Sequence, residues 1–152
     1  MIKGLGIAAV WTLDQERTMA FFTQKLGFEV RNDITFGGVR RLTVGAKGQP
    51  EVELALLGPG HDSVDAESAR ALRTLISGGV LGAAGFRTDD CFGDYETFRE
   101  RGVRFLQEPR ERPWGIEAIF RDEDGNWYAL TERLSGDLDP ARGWGDVVGE
   151  SC

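Results

Sequence analysis

Histidine and cysteine carry much of protein chemistry, and in this chain they are scarce. The single histidine, His61, sits in a stretch of Gly, Pro and acids at 58–65. A histidine in such a loop is ordinarily solvated and carries no role. The two cysteines, Cys91 and Cys152, have no metal-type spacing, and Cys91 opens a helix without a basic partner to make it a thiolate. No Ser-His or Cys-His pairing exists for nucleophilic catalysis. Gly4-Leu5-Gly6 and the other glycine pairs lack the spacing of a phosphate-binding loop. No catalytic residue is assigned.

The bulk composition narrows the function classes. A chain of 152 residues with 41% hydrophobic content can bury a core as one domain or two small fused modules. A formal net charge of −7 repels phosphate backbones, so nucleic acid is not expected as a partner, and a cationic ligand would be favoured. No apolar run approaches the roughly 18 residues that span a membrane, and Met1-Ile2-Lys3-Gly4 lacks the apolar core of a signal peptide. Two free thiols suit a reducing compartment, and a cytoplasmic location is expected.

The elements follow from periodicity and punctuation. An apolar strand over 2–13 ends at Asp14, which reads as a helix N-cap, and Met19, Phe22 and Leu26 then share one helix face up to Gly27. Strands are predicted at 28–34, 39–44 and 51–57, with Gly37-Gly38 as a tight turn. The first module is therefore β-α-β-β-β over 1–60. A linker at 61–81 holds a short helix at 66–77, expected to bury Leu72 and Leu75. The second module, 82–134, repeats the order. Its strand is at 83–87, and Asp89 or Asp90 caps a helix ending at Gly102. Strands follow at 103–107, 114–120 and 127–131, with turns at 109–113 and 121–126. Asp14 to Gly27 and Asp89 to Gly102 both span thirteen positions, which supports an internal repeat at an offset of 75. The tail, 135–152, is polar and glycine-rich, with Trp144 as an anchor.

Two stretches resemble a known family. Ala20-Phe21-Phe22 with Leu26-Gly27-Phe28-Glu29-Val30, and Phe120-Arg121-Asp122-Glu123-Asp124-Gly125-Asn126, resemble the "A-F-Y … L-G-F-E-V" and "F-R-D-P-D-G-N" motifs of the glyoxalase/bleomycin-resistance (vicinal oxygen chelate) family. Glu123 stands in place of the usual proline. The resemblance implies an α+β fold of two βαβββ modules, with curved mixed sheets around a cleft, in a homodimer that sometimes exchanges modules. It also implies four metal-ligand positions. Here these fall on Ile7, Glu53, Gly82 or Ala83, and Ala129. Only Glu53 can donate to a metal, and one donor cannot hold a divalent ion. Neither a metal nor another cofactor is expected.

Those positions mark the cleft face by strand alternation. Ile7, Ala9 and Trp11 should face it from the first strand, Glu51, Glu53 and Ala55 from the fourth, and Trp127, Ala129 and Thr131 from the last. Arg41 and Thr43 join by the same rule, Trp114 adds a possible third aromatic wall, and Arg87 and Glu117 have weaker support. Tyr128 and Leu130 should face the helices, and Phe21, Phe22 and Phe98 the core. Small residues leave room, tryptophan offers a stacking face, and a metal-free Glu53 becomes an acceptor or counter-charge. The expected function is metal-independent sequestration of a drug-like natural product, cationic or polycyclic aromatic, of the antibiotic-resistance or self-resistance type. The alternative is a divergent lyase, isomerase or dioxygenase, with relocated metal ligands or Glu53 as general base.

Overall fold

The computed structural model describes residues 1–133. The tail read at 135–152, with Trp144 and Cys152, lies outside the described residues. The first module runs β1 (Ile7–Trp11), α1 (Gln15–Ala20), β2 (Glu29–Phe36), β3 (Val39–Gly45) and β4 (Glu53–Leu57). After α2 (Ala66–Ser77), the second runs β5 (Gly82–Thr88), α3 (Cys91–Glu100), β6 (Arg104–Arg112), β7 (Gly115–Arg121) and β8 (Trp127–Glu132). Each module makes one four-stranded sheet, ordered β1-β4-β3-β2 and β5-β8-β7-β6. In each, the first and last strands pair parallel and the rest antiparallel. The fold is α+β, and the second module repeats the topology of the first.

Local chemistry sets the boundaries. Asp14 caps α1 by accepting the Arg17 N–H at 3.0 Å, and Asp90 caps α3 by accepting the Gly93 N–H at 2.8 Å. The second cap is thus Asp90 rather than Asp89, one residue off the repeat offset. Past Ala20 the helix widens into a π-helical turn over Phe21–Lys25, closed by the Leu26 N–H on the Phe21 carbonyl. Gly27 and Gly102 then take φ of 76° and 83°, which other residues adopt at a cost.

Three expectations are corrected. The first strand covers only Ile7–Trp11. β6 continues through the turn expected at 109–113, because Pro109 sits on an edge strand where no ladder N–H is required. On α2 the buried residues are Ala69 and Ile76, with Leu72 half-buried, while Leu75 is exposed one step off that stripe.

One core joins both modules. From the first sheet it takes Val10, Leu42, Val44, Leu54 and Leu56, and from the second Ala118, Phe120, Tyr128 and Leu130. Phe21 and Phe22 lie in the same core, 6.4 and 5.7 Å from the Tyr128 ring. The first module's helix is therefore packed against the second module's sheet. Phe98 packs against this core from α3.

The turn 122–126 fastens the modules. Asp122 organises it, accepting the N–H groups of Asp124, Gly125 and Asn126 on one oxygen and the Tyr128 hydroxyl on the other. Asp124 then crosses to the first module, accepting the Thr12 hydroxyl at 2.6 Å, the Leu13 N–H at 2.8 Å and the Arg17 guanidinium. Asn126 donates to the Trp11 carbonyl at 2.6 Å. Burial pushes the Asp122 carboxyl above the ordinary aspartate range. Burial also pushes Asp124 up, but the Thr12, Arg17 and Leu13 donors outweigh it and hold that carboxyl below its usual range. A carboxylate depressed in the folded state contributes stability above its unfolded value of about 3.9 and loses it as pH falls through the folded value. Asp124→Asn should cost about 3 kcal/mol in chemical denaturation at pH 7. The deficit should stay constant down to about pH 5 and shrink below about pH 4; a deficit independent of pH would contradict this role.

Candidate functional site

Each sheet has one face turned to the core and one turned away, and cross-strand register fixes which residues share the second. On the first sheet, Asn32, Thr43, Ala55 and Ala9 form one row across the strands. Ile34 pairs with Arg41, Trp11 with Leu57 and Ile7 with Glu53 on the same face. On the second sheet the rows are Gly82-Trp127-Arg121-Arg104, Gly85-Ala129-Ile119-Gln107 and Arg87-Thr131-Glu117-Arg110. The structure thus places Ile7, Ala9, Trp11, Arg41, Thr43 and Glu53 on one open face, and Trp127, Ala129 and Thr131 on the other. Glu51 precedes β4 and belongs to neither. β1 and β5, each at its sheet's edge, run past one another at the module seam.

Trp114 is in the β6–β7 turn, off the sheet rows. Its indole N–H reaches the open face of the second sheet by donating to Glu117 at 3.1 Å. Thr43 is fully buried although it lies on the open face of its sheet. Asn32 covers it, donating to the Thr43 hydroxyl at 3.4 Å and to Glu53 at 3.2 Å. Asn32 was not among the residues read from sequence. Regular alternation from Val30, which pairs with Val44, would turn Asn32 toward the core, but a bulge between Val30 and Asn32 reverses the phase.

Glu53 is held ionised. The Thr43 hydroxyl foremost, then the Asn32 amide and the charges of Arg41 and Arg31, keep its carboxyl below the usual glutamate range despite partial burial. Such a group is a good hydrogen-bond acceptor and a poor proton-abstracting base. Cys91 is buried, and burial pushes its thiol up to about 11, so it stays protonated and unreactive.

Trp127 rests on glycine. A Cβ at Gly82 would lie 2.5–2.8 Å from three atoms of the indole, so only glycine lets the ring lie against β5. The residue is nevertheless 36% exposed. The floor beside it is small: Gly85 and Ala129 are register partners one row along. The upper end of the first sheet's face is apolar and uncovered, with Ile34 58% and Phe36 90% exposed.

The family's metal positions do not fit a metal here. Ile7, Gly82 or Ala83, and Ala129 offer no side-chain donor, Glu53 is committed to Asn32 and Thr43, and the space of a side chain at 82 holds an indole. Among the described residues, no three His, Cys, Asp or Glu side chains gather in a metal-binding group.

Two βαβββ modules with open faces of this kind define a class, and comparison agrees. Residues 4–130 match the Glyoxalase/Bleomycin resistance protein/Dioxygenase superfamily, and the chain belongs to that superfamily. It is 35% identical to the Bacillus subtilis (strain 168) protein YetH over 133 residues, covering 87% of this chain and 100% of YetH. Its fold matches the crystal structure of UcmS2 with a TM-score of 0.82 and 46% identity, over 86% of this chain and 98% of that one. It also matches TnmS3, an antibiotic binding protein from Streptomyces sp. CB03234, with a TM-score of 0.70 and 28% identity, over 88% of this chain and 98% of that one.

Gly82→Ala should lift the indole of Trp127 without unfolding the sheet. Tryptophan emission and near-ultraviolet dichroism should change while far-ultraviolet dichroism does not, and the change should vanish in a Trp127→Phe background. A change that survives in that background would show that the glycine serves something else.

Proposed function

We propose that this protein binds and sequesters a flat, drug-like natural product on the open sheet faces, without a metal and without turning it over. The observation that carries the reading is Trp127, an indole backed by Gly82, partly exposed and beside small residues. An aromatic face of this kind stacks planar rings of many structures. The likeness to TnmS3, an antibiotic binding protein, supports the same class of ligand. The depressed carboxyl of Glu53 favours a role as acceptor for a ligand N–H or O–H over one as general base. We further propose that two copies pair and complete the cleft, since Ile34 and Phe36 are apolar, uncovered and on the edge strand of the first sheet.

A panel of polycyclic antibiotics titrated against intrinsic fluorescence should yield at least one ligand of micromolar affinity or better. Trp127→Ala should weaken that ligand by about 1–3 kcal/mol, roughly 5- to 150-fold. Unchanged affinity would return Trp127 to a packing role. EDTA treatment should leave binding intact, and stoichiometric zinc, nickel, manganese or iron in the purified protein would overturn the metal-free reading. Sedimentation should give twice the chain mass, with Phe36→Asp shifting it toward the monomer.

A further inference from the structure

The charge on the candidate binding surface runs against the charge of the chain. The protein as a whole carries −7. On the open face of the second sheet the register collects Arg87, Arg104, Arg110 and Arg121, with Glu117 as the one acid in those rows. Arg112, paired with Gly115, adds a fifth guanidinium on that side and donates to Gln107 at 2.7 Å. None of the five is within ion-pair distance of a carboxylate among the described residues, although such pairs hold Arg17, Arg31 and Arg40. Glu117 is already the acceptor for the Trp114 indole.

Two of these arginines are placed at a cost. Arg104 and Arg121 are directly opposite on β6 and β7, where like charges repel. The Arg121 Nε–H is buried with no hydrogen-bond partner among the described residues. Both line a cavity of about 350 Å³ at the end of the sheet. The acids around that cavity are committed: Asp122 to its own turn and Tyr128, Asp124 to Thr12, Leu13 and Arg17, and Glu123 to Lys25. The rows of the sheet face carrying the Trp127 platform therefore hold more arginines than acids, and none of these arginines is ion-paired among the described residues. On the first sheet's face Arg41 and Glu53 balance, so that face does not reverse the sign.

We infer that the ligand of this site is a planar aromatic molecule bearing acidic oxygens, such as carboxylate or phenolate, and that a planar cation is rejected. This rests on the binding reading above and names its ligand class. It reverses the expectation drawn from net charge, because a ligand lying on a surface senses the charges within about a Debye length rather than the chain total. The ring system lies on Trp127, and the anionic oxygens take hydrogen bonds from the arginines flanking it.

Anthracene-9-carboxylate and 9-aminoacridine are tricyclic probes of matched shape and opposite charge, and probe anisotropy reports the binding of each to the full chain. The carboxylate should bind at least tenfold more tightly at low salt, and the preference should shrink in 0.5 M NaCl. Arg87→Gln and Arg110→Gln, both exposed, should each reduce the preference without changing the melting temperature materially. Equal or tighter binding of 9-aminoacridine, with both probes weakened by Trp127→Ala, would overturn the charge inference and leave the platform standing. Binding of neither probe, and of no antibiotic in the panel above, would overturn both. Binding of the carboxylate that is indifferent to both arginine substitutions and to salt would overturn the charge inference alone.

Discussion

The contact on which the rest of the molecule depends is the reach of Asp124 into the β1–α1 junction. The turn 122–126 belongs to the second module, yet its buried carboxylate satisfies Thr12, Leu13 and Arg17 of the first. A carboxylate taken out of water must be paid for by donors, and the donors to Asp124 from Thr12, Leu13 and Arg17 all come from the first module. The turn is shaped for this by Asp122, which holds three of its own N–H groups, and by Gly125, where a Cβ would collide with the Ile76 carbonyl oxygen. Asn126 adds the bond to the Trp11 carbonyl. The same few residues thus tie β8 to β1, and with them the two strands that begin the candidate surfaces.

Packing across the seam follows from that tie. Phe21 and Phe22 leave the first module's helix and enter the aromatic cluster around Tyr128 and Phe120. The hydrophobic side of both sheets is thereby consumed by one shared core. What remains for function is the other side of each sheet, rigidly presented because every strand beneath it is anchored from behind. The candidate site lies on strands rather than on loops, and strand parity selects the residues that face it.

Parity is also why much of the site was legible in the sequence. Ile7, Ala9 and Trp11, and Trp127, Ala129 and Thr131, alternate with Val10, Tyr128 and Leu130, and apolar alternation fixes a face without further information. The Asp14 cap and the two positive-φ glycines are legible for similar local reasons, whereas the second cap is legible only to within Asp89 or Asp90. Asn32 was not, because a single inserted residue in β2 reverses the phase and leaves no trace in composition. The extension of β6 past Pro109 was missed because a proline reads as a break unless the strand is known to be an edge. Leu75 is apolar but lies one step off the buried stripe that runs through Ala69 and Ile76, so its residue type alone does not place it.

The glycine at 82 places the aromatic surface beside a missing metal donor. The Asp90 cap puts the third ligand position of metal-dependent members on Ala83, next to Gly82, where the volume of any side chain is filled by the Trp127 indole. A side chain at 82 and a ring lying on β5 exclude one another sterically. A donor restored at 83 would not by itself rebuild a metal site, since Ile7 and Ala129 would still donate nothing. The electrostatics differ as well. A metal centre would bring its own positive charge to the face, and in its place the second sheet carries arginines with no carboxylate partner among the described residues. On the binding reading proposed above, stacking and charge would take the place of a coordinate bond in holding a ligand.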